Sequence, residues 1–293
     1  MNNLRKSTIV SPNVWVPSTL EEAWSLKQKF GREARFIAGG AFLQTQWQKG
    51  MDCPDHLISL EQIKEMQRCG KELINGETVL SIGALTTLEF CRHPSELLED
   101  VPLLVEAVRN IAAPSIRNIA TLGGNIANEF GDTIPALLAM DASLTFFDGK
   151  KVCQKPLAEC LKERDFFPKF ILISVSLPEV IKTYKESCFY KKIGSREAFT
   201  PSIVTVSGCC QLNQQKQVEH IRLAASGSTT QPQRLLRCEQ LLLGTTLSNE
   251  RLQRAVQVIR EEFQCTSEVF SSAEYKKAAT ANMIVSEIAR LAG

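Results

Sequence analysis

The sequence predicts an α+β chain in two parts, and three observations predict it. Short apolar runs of strand character alternate with segments of helical periodicity through the first 180 residues. After about residue 185 the texture changes to two strand-like runs joined by a polar turn. Segments of helical pattern then close the chain. A cut near 179–184 divides a first α+β part, 1–180, from a smaller one, 185–293. With 293 residues, 44% of them hydrophobic, the chain can bury one large core or two smaller ones.

Residues 18–30 predict a helix, with Ser18 or Thr19 as cap and Glu21–Glu22 in the first turn. ARFIAGGAFL predicts a short buried strand that runs into a glycine turn. HLISL (56–60) is a second apolar strand, followed by a polar segment. TVLSIGAL (78–85) is a strand interrupted by Ser81 and Gly83. Residues 101–113 carry Leu103, Leu104, Ala107, Val108 and Ile111 at helical spacing, with Pro114 as the stop. RNIATLGGNIAN (117–128) reads as a strand or turn, and PALLAMDASL opens with a helical turn. SLTFFDGKK is a strand reaching a turn at Asp148–Gly149, and FILISVSLP (170–178) is a strand closed by proline. IVTVSGCCQLNQQKQVEHIRLAASG predicts a hairpin. Helices follow near 235–243, 248–263 and 273–291.

Composition excludes several function classes. A net charge of +2 sets up no strong field toward nucleic acid or membrane phosphate, and neither is expected as a partner. No run approaches the length of a spanning helix, and the N-terminus lacks the apolar run of a signal peptide, so the expected location is cytoplasmic. The ten cysteines contain no C-x-x-C, and their scatter argues against a metal or disulfide framework. Most are expected as small buried hydrophobes. Cys209 and Cys210, adjacent in an apolar run, should face opposite sides of a strand. The three histidines share no constellation with a serine or cysteine.

Two glycine pairs carry the chemistry. Gly39–Gly40 and Gly123–Gly124 each follow an extended run, where glycine lets the backbone approach a ligand and expose successive N–H groups to phosphate oxygens. Two such loops suit the two phosphates of a dinucleotide; a plain turn is the bland alternative. Neither is a G-x-G-x-x-G or a P-loop. Asn125 suits a phosphate or ribityl contact, or the capping of a turn. Asp132, before Pro135, suits either a helix cap or an acceptor for ribose or ribityl hydroxyls. Lys192 suits a solvated surface or the steadying of an anionic reduced ring.

FIAGGAFL, RNIATLGGNIAN and GDTIPALLAMDASL, in this order, resemble the FAD-binding subunit of molybdenum hydroxylases. The resemblance extends through HLISLEQI, FILISVSLP, YKKIGSR, EQLLLG and SSAEYKKA, nearly the whole chain. Within the family it is strongest to the separate flavin subunit of bacterial xanthine dehydrogenases. It implies a two-part PCMH-type FAD-binding domain, then a C-terminal domain like that of the CO dehydrogenase flavoprotein, with a small antiparallel sheet and packed helices. It implies FAD contacts at Phe36, Ile37, Ala38, Gly39, Gly40, Ala41, Phe42 and Leu43, and at Thr121, Leu122, Gly123, Gly124 and Asn125. Asp132 matches the family aspartate, Ile111 a position beside the flavin ring, Ile173 an apolar position near it and Lys192 a lysine close to the cofactor. FAD is expected to be non-covalent, because no His, Cys or Tyr lies within 36–43 or 117–132.

The implied partners are a molybdopterin subunit and a 2Fe-2S subunit, with NAD⁺ as electron acceptor and purine hydroxylation as the reaction of the complex. The chain departs from the family pattern at Ala41 and Phe42, where Thr or Ser and then a polar residue are usual, and in a shorter segment between Asn125 and Pro135. A related hydroxylase for an aldehyde, a nicotinate-like heterocycle or carbon monoxide is the nearest alternative. A flavin-binding assembly protein without turnover is the alternative of another class.

Overall fold

The computed structural model describes residues 11–74, 76–93, 98–163, 165–179, 187–196 and 200–292. The boundary expected near 179–184 falls largely outside them. The chain builds three sheets, each backed by helices.

Strands β1 (Asn13–Trp15), β2 (Ala34–Ile37) and β3 (His56–Ser59) form a parallel sheet in the order β1-β3-β2. Helix α1 (Leu20–Phe30) crosses between the first two. Its cap is Thr19, whose hydroxyl accepts from Glu22 N at 3.1 Å, while Glu22 accepts from Ser18 N at 2.8 Å. Glu21–Glu22 at its start and Lys27 and Lys29 at its end complement the helix dipole. Helix α2 (Ala41–Gln48), which the sequence pattern did not announce, follows the first glycine pair and buries none of its side chains.

Strands β4 (Cys69–Ile74), β5 (Glu77–Gly83), β6 (Ser143–Phe147), β7 (Val152–Pro156) and β8 (Ile171–Pro178) form an antiparallel sheet in the order β4-β5-β8-β6-β7. Central β5 and β8 are buried on both faces, which explains why neither shows clean alternation. Short helices α3 (Leu88–Arg92), α4 (Pro102–Arg109), α5 (Pro114–Arg117), α6 (Leu122–Ala127), α7 (Ile134–Ala139) and α8 (Leu157–Cys160) connect and follow these strands, with α6 against β8 and α8 against β7. Two expectations fail here. The helix expected over 101–113 ends at Arg109, and Pro114 starts α5 instead of stopping α4, because proline at N1 forfeits no helical hydrogen bond. The second glycine pair lies inside α6, where a strand or turn was expected; Thr121 caps that helix through Gly124 N at 3.0 Å.

Strands β9 (Cys188–Gly194), β10 (Ser202–Leu212), β11 (Val218–Gly227) and β12 (Thr230–Arg234) form an antiparallel sheet in the order β12-β11-β10-β9. Helices α9 (Leu236–Leu242), α10 (Asn249–Glu262) and α11 (Ala273–Ala292) pack on one face through a core including Val204, Val206, Leu223, Phe263 and Ile284. The other face, with Tyr190, Cys209 and Ala224, joins the core of the N-terminal part. Cys209 and Cys210 therefore enter different cores, as strand alternation requires.

The cysteine reading needs one correction. Register places Cys188 directly opposite Cys209, and the two form a disulfide with Cα atoms 4.0 Å apart. Strand pairing makes neighbours of residues that spacing alone does not connect. Burial pushes the thiols of Cys91, Cys160 and Cys238 up to about 12, and that of Cys210 to about 11. In timed iodoacetamide labelling of the native chain at pH 8, exposed Cys53 should react first and these four only after unfolding, because the thiolate is the nucleophile. Mass spectrometry of the peptides reads the order; labelling of Cys238 as fast as Cys53 would contradict this packing.

Candidate functional site

The first loop joins β2 to α2. Phe36 and Ile37 end the strand, Ala38–Gly40 make the turn, and Ala41, Phe42 and Leu43 form the first helical turn. Gly40 has φ +67°, which glycine adopts without steric cost. A β-carbon on Gly39 would lie 1.5 Å from Ile119 O, so this loop presses directly on the approach to α6. The first acceptor contact after the turn is Gln44 N to Gly40 O at 2.9 Å. The N–H groups of residues 38–43 meet no acceptor among the described residues. A row of unpaired N–H groups at a glycine turn and helix start is the chemistry a phosphate requires.

The second loop differs from that expectation. From Leu122 on its N–H groups are already used: Leu122 N donates to Thr86 O at 2.9 Å, Gly123 N to Ala84 O at 2.8 Å and Gly124 N to the Thr121 hydroxyl. The first two, with Leu88 N to Ala120 O at 2.8 Å, stitch 120–123 to 84–88. Gly123 is needed for close packing, since its β-carbon would lie 2.6 Å from Ala84 Cβ. At Gly124 the added carbon would meet only Thr121 Oγ1, at 3.0 Å, and otherwise open space. The second loop thus supplies a bare, closely approachable surface, and the first supplies the donors. Ile173 backs this arrangement from the core: its carbonyl accepts from Ala84 N at 2.8 Å, and its side chain is buried among Ala34, Ile58 and Ile171.

Asn125 links the second loop to Asp132. Its Oδ1 accepts from Thr133 Oγ1 at 2.7 Å and Thr133 N at 3.2 Å, and Gly131 packs against it. This is the turn-tying role, and it sets how the shortened segment closes. Asp132 is not a helix cap; Thr133 occupies the cap position of α7. Its Oδ2 accepts from Lys192 Nζ at 2.7 Å, and its Oδ1 from Ser202 Oγ at 2.8 Å and Thr205 Oγ1 at 3.3 Å. Its carbonyl accepts from Tyr190 OH at 3.0 Å, and burial pushes that phenol well above its ordinary value. Lys192 also donates to Asn110 O at 3.2 Å, adjacent to Ile111, which is buried in the loop after α4.

Sequence reasoning missed Ser202, Thr205 and Tyr190. Residues 202 and 205 have opposite parity and would face opposite sides of a regular strand. A bulge between Ser202 and Val204 brings both to Asp132. Tyr190 and Lys192 do obey alternation along β9, and both lie within the YKKIGSR run.

An unbroken series of contacts therefore runs from Gly39 through Ile119 to the second loop, through Asn125 and Thr133 to Asp132, and through Lys192 to Asn110. Free donors, a bare glycine surface and a neutralised Lys–Asp pair fit a dinucleotide cofactor with a pyrophosphate and a polar ring. Among the described residues no three His, Cys, Asp or Glu side chains converge as metal ligands, and no helix is long and apolar enough to cross a membrane.

Comparison with known proteins agrees with this reading of the fold and the cofactor. Residues 8–180 match the FAD binding domain in molybdopterin dehydrogenase, and residues 189–291 match the CO dehydrogenase flavoprotein C-terminal domain. The chain is 22% identical over 271 residues to the nicotinate dehydrogenase FAD-subunit of Eubacterium barkeri, covering 90% of each. It is 26% identical over 253 residues to the xanthine dehydrogenase FAD-binding subunit of Escherichia coli O157:H7, covering 83% of this chain and 84% of the other. A chain of reconstituted CO dehydrogenase from Oligotropha carboxidovorans superposes with a TM-score of 0.86 at 21% identity, covering 96% of this chain and 98% of that one.

Proposed function

The chain belongs to the family of FAD-binding domains of molybdopterin dehydrogenases, and on that premise we propose that it is the flavin subunit through which a xanthine dehydrogenase complex passes electrons to NAD⁺. The row of free N–H groups at residues 38–43 is the observation that carries the cofactor's place: it gives the pyrophosphate donors that the chain itself does not consume. FAD, held non-covalently, supplies two-electron chemistry that links one-electron carriers to a hydride acceptor. The chain's own part is to bind and orient. Gly39 keeps the two loops in contact, Gly124 leaves room for the phosphates, Asn125 ties the following turn, and Lys192 brings a cation that Asp132 neutralises. Ile111 and Ile173 are the apolar neighbours of the ring in this reading.

Partner subunits with molybdopterin and 2Fe-2S clusters complete the electron path, and the complex is placed in the cytoplasm. A second reading assigns the complex to another substrate, such as a nicotinate-like heterocycle or carbon monoxide. The likeness to the nicotinate dehydrogenase subunit and to CO dehydrogenase favours it. Co-expression with the two partner subunits decides between them. Hypoxanthine and xanthine should be oxidised with NAD⁺ reduction by the complex, and not by this chain alone. The chain alone should still pass electrons from NADH to an artificial dye. Turnover of nicotinate or carbon monoxide, with none of purines, would replace the first reading by the second. Purine turnover by the isolated chain would sink the subunit assignment.

A further inference from the structure

The loop Asn110–Ala113 is held in a strained shape from two sides. Ala112 has φ +43°, a left-handed conformation that a β-carbon disfavours. Arg117, buried on α5, donates Nη1 to Ile111 O at 2.9 Å and to Ala112 O at 2.5 Å. Its Nε donates to Glu89 Oε2 at 2.7 Å, a bond that holds the Glu89 carboxyl below its ordinary value. From the other side Lys192 takes the carbonyl of Asn110. Three consecutive carbonyls are thus drawn to two cations. The N–H groups of Ala112 and Ala113 are left without an acceptor among the described residues, although both residues are half-buried. Donors that the chain leaves open are free to serve an acceptor from outside it.

We propose that Arg117 is a positioning residue for the flavin: it fixes the 110–113 loop so that Ile111 borders the bound ring and the free N–H groups beside it face an acceptor on the cofactor. The inference rests on the reading that places Ile111 beside the ring. A guanidinium suits the place because its planar fork holds Glu89 from Nε and two carbonyls from Nη1 in fixed directions; the ammonium of lysine offers its donors from one rotating point.

The test titrates the full chain with FAD and records flavin fluorescence, visible circular dichroism and the thermal midpoint of the FAD-free protein. Arg117→Lys should bind FAD about tenfold more weakly, the loss of one charge-assisted contact's worth of positioning, with an altered visible dichroism. Adding Ala112→Gly should recover at least half of that loss on a logarithmic scale, because glycine reaches φ +43° without a tether. Ala112→Val, which leaves the Arg117–Glu89 pair in place, should also weaken FAD binding and covers the case in which Arg117→Lys fails to fold. Unchanged FAD affinity and dichroism in a folded Arg117→Lys or in Ala112→Val would overturn the proposal, as would absence of recovery by Ala112→Gly. Ile111→Asn separates the two levels. If it weakens FAD binding while the Arg117 and Ala112 variants do not, only the tether falls; if none of them does, the placement of Ile111 falls too.

Discussion

Gly39→Ala should lower FAD affinity by on the order of a hundredfold or more, the loss of two charge-assisted hydrogen bonds at about 1.5–3 kcal/mol each. The methyl group would sit 1.5 Å from Ile119 O and 2.5 Å from Ile119 C, so the first loop must leave the second. The six N–H groups at 38–43 lose their common aim when it does. The clash is with backbone rather than with the end of a flexible side chain, so it costs at least as much stability as ordinary core overpacking, about 1–3 kcal/mol. Gly124→Val is the informative contrast. Its β-carbon meets only Thr121 Oγ1, at 3.0 Å, so stability should fall less than in Gly39→Ala while FAD affinity falls. Fluorescence titration and thermal melts of both variants read the two effects separately. Wild-type affinity in a folded Gly39→Ala would remove the first loop from the cofactor site.

Asp132→Ala should lower stability by about 2–4 kcal/mol. Breaking a fully buried ion pair by removing one partner costs about 3–5 kcal/mol, and partial solvent access at this pair reduces that figure. The substitution strips Lys192 of its carboxylate and leaves Ser202 and Thr205 without their acceptor, at the seam where the segment before α7 meets β9 and β10. Lys192→Met in the Asp132→Ala background should restore part of the loss, because the stranded charge is then gone; a double-mutant cycle in urea measures that coupling. FAD affinity should fall with stability, since Asn125 and Thr133 hold Asp132 in line with the second loop. A melting profile within about 0.5 kcal/mol of wild type would mean that the seam does not depend on this pair, the level expected of an ordinary surface substitution.

The sequence by itself determined the elements that depend on neighbours a few residues apart. Thr19 and the charges of α1 define that helix locally, and the alternation through IVTVSGCCQL and its partner run defines the hairpin. The motifs containing the two glycine pairs and Asp132 carried the family and its cofactor, because close backbone approach is legible in residue type. The tertiary structure decided what depends on residues distant in sequence. Only the fold sets Gly39 on Ile119, pairs Cys188 with Cys209, and brings Asp132 to donors 60 to 73 residues away. The helical state of Leu122–Ala127 was decided the same way: bonds to Thr86 and Ala84 fix its first turn, against the low helix propensity of two glycines. Which loop keeps its N–H groups free is likewise a tertiary fact. Both glycine pairs look equal in one dimension, and the packing of 84–88 against 120–123, with the Thr121 cap, uses up the donors of Leu122, Gly123 and Gly124.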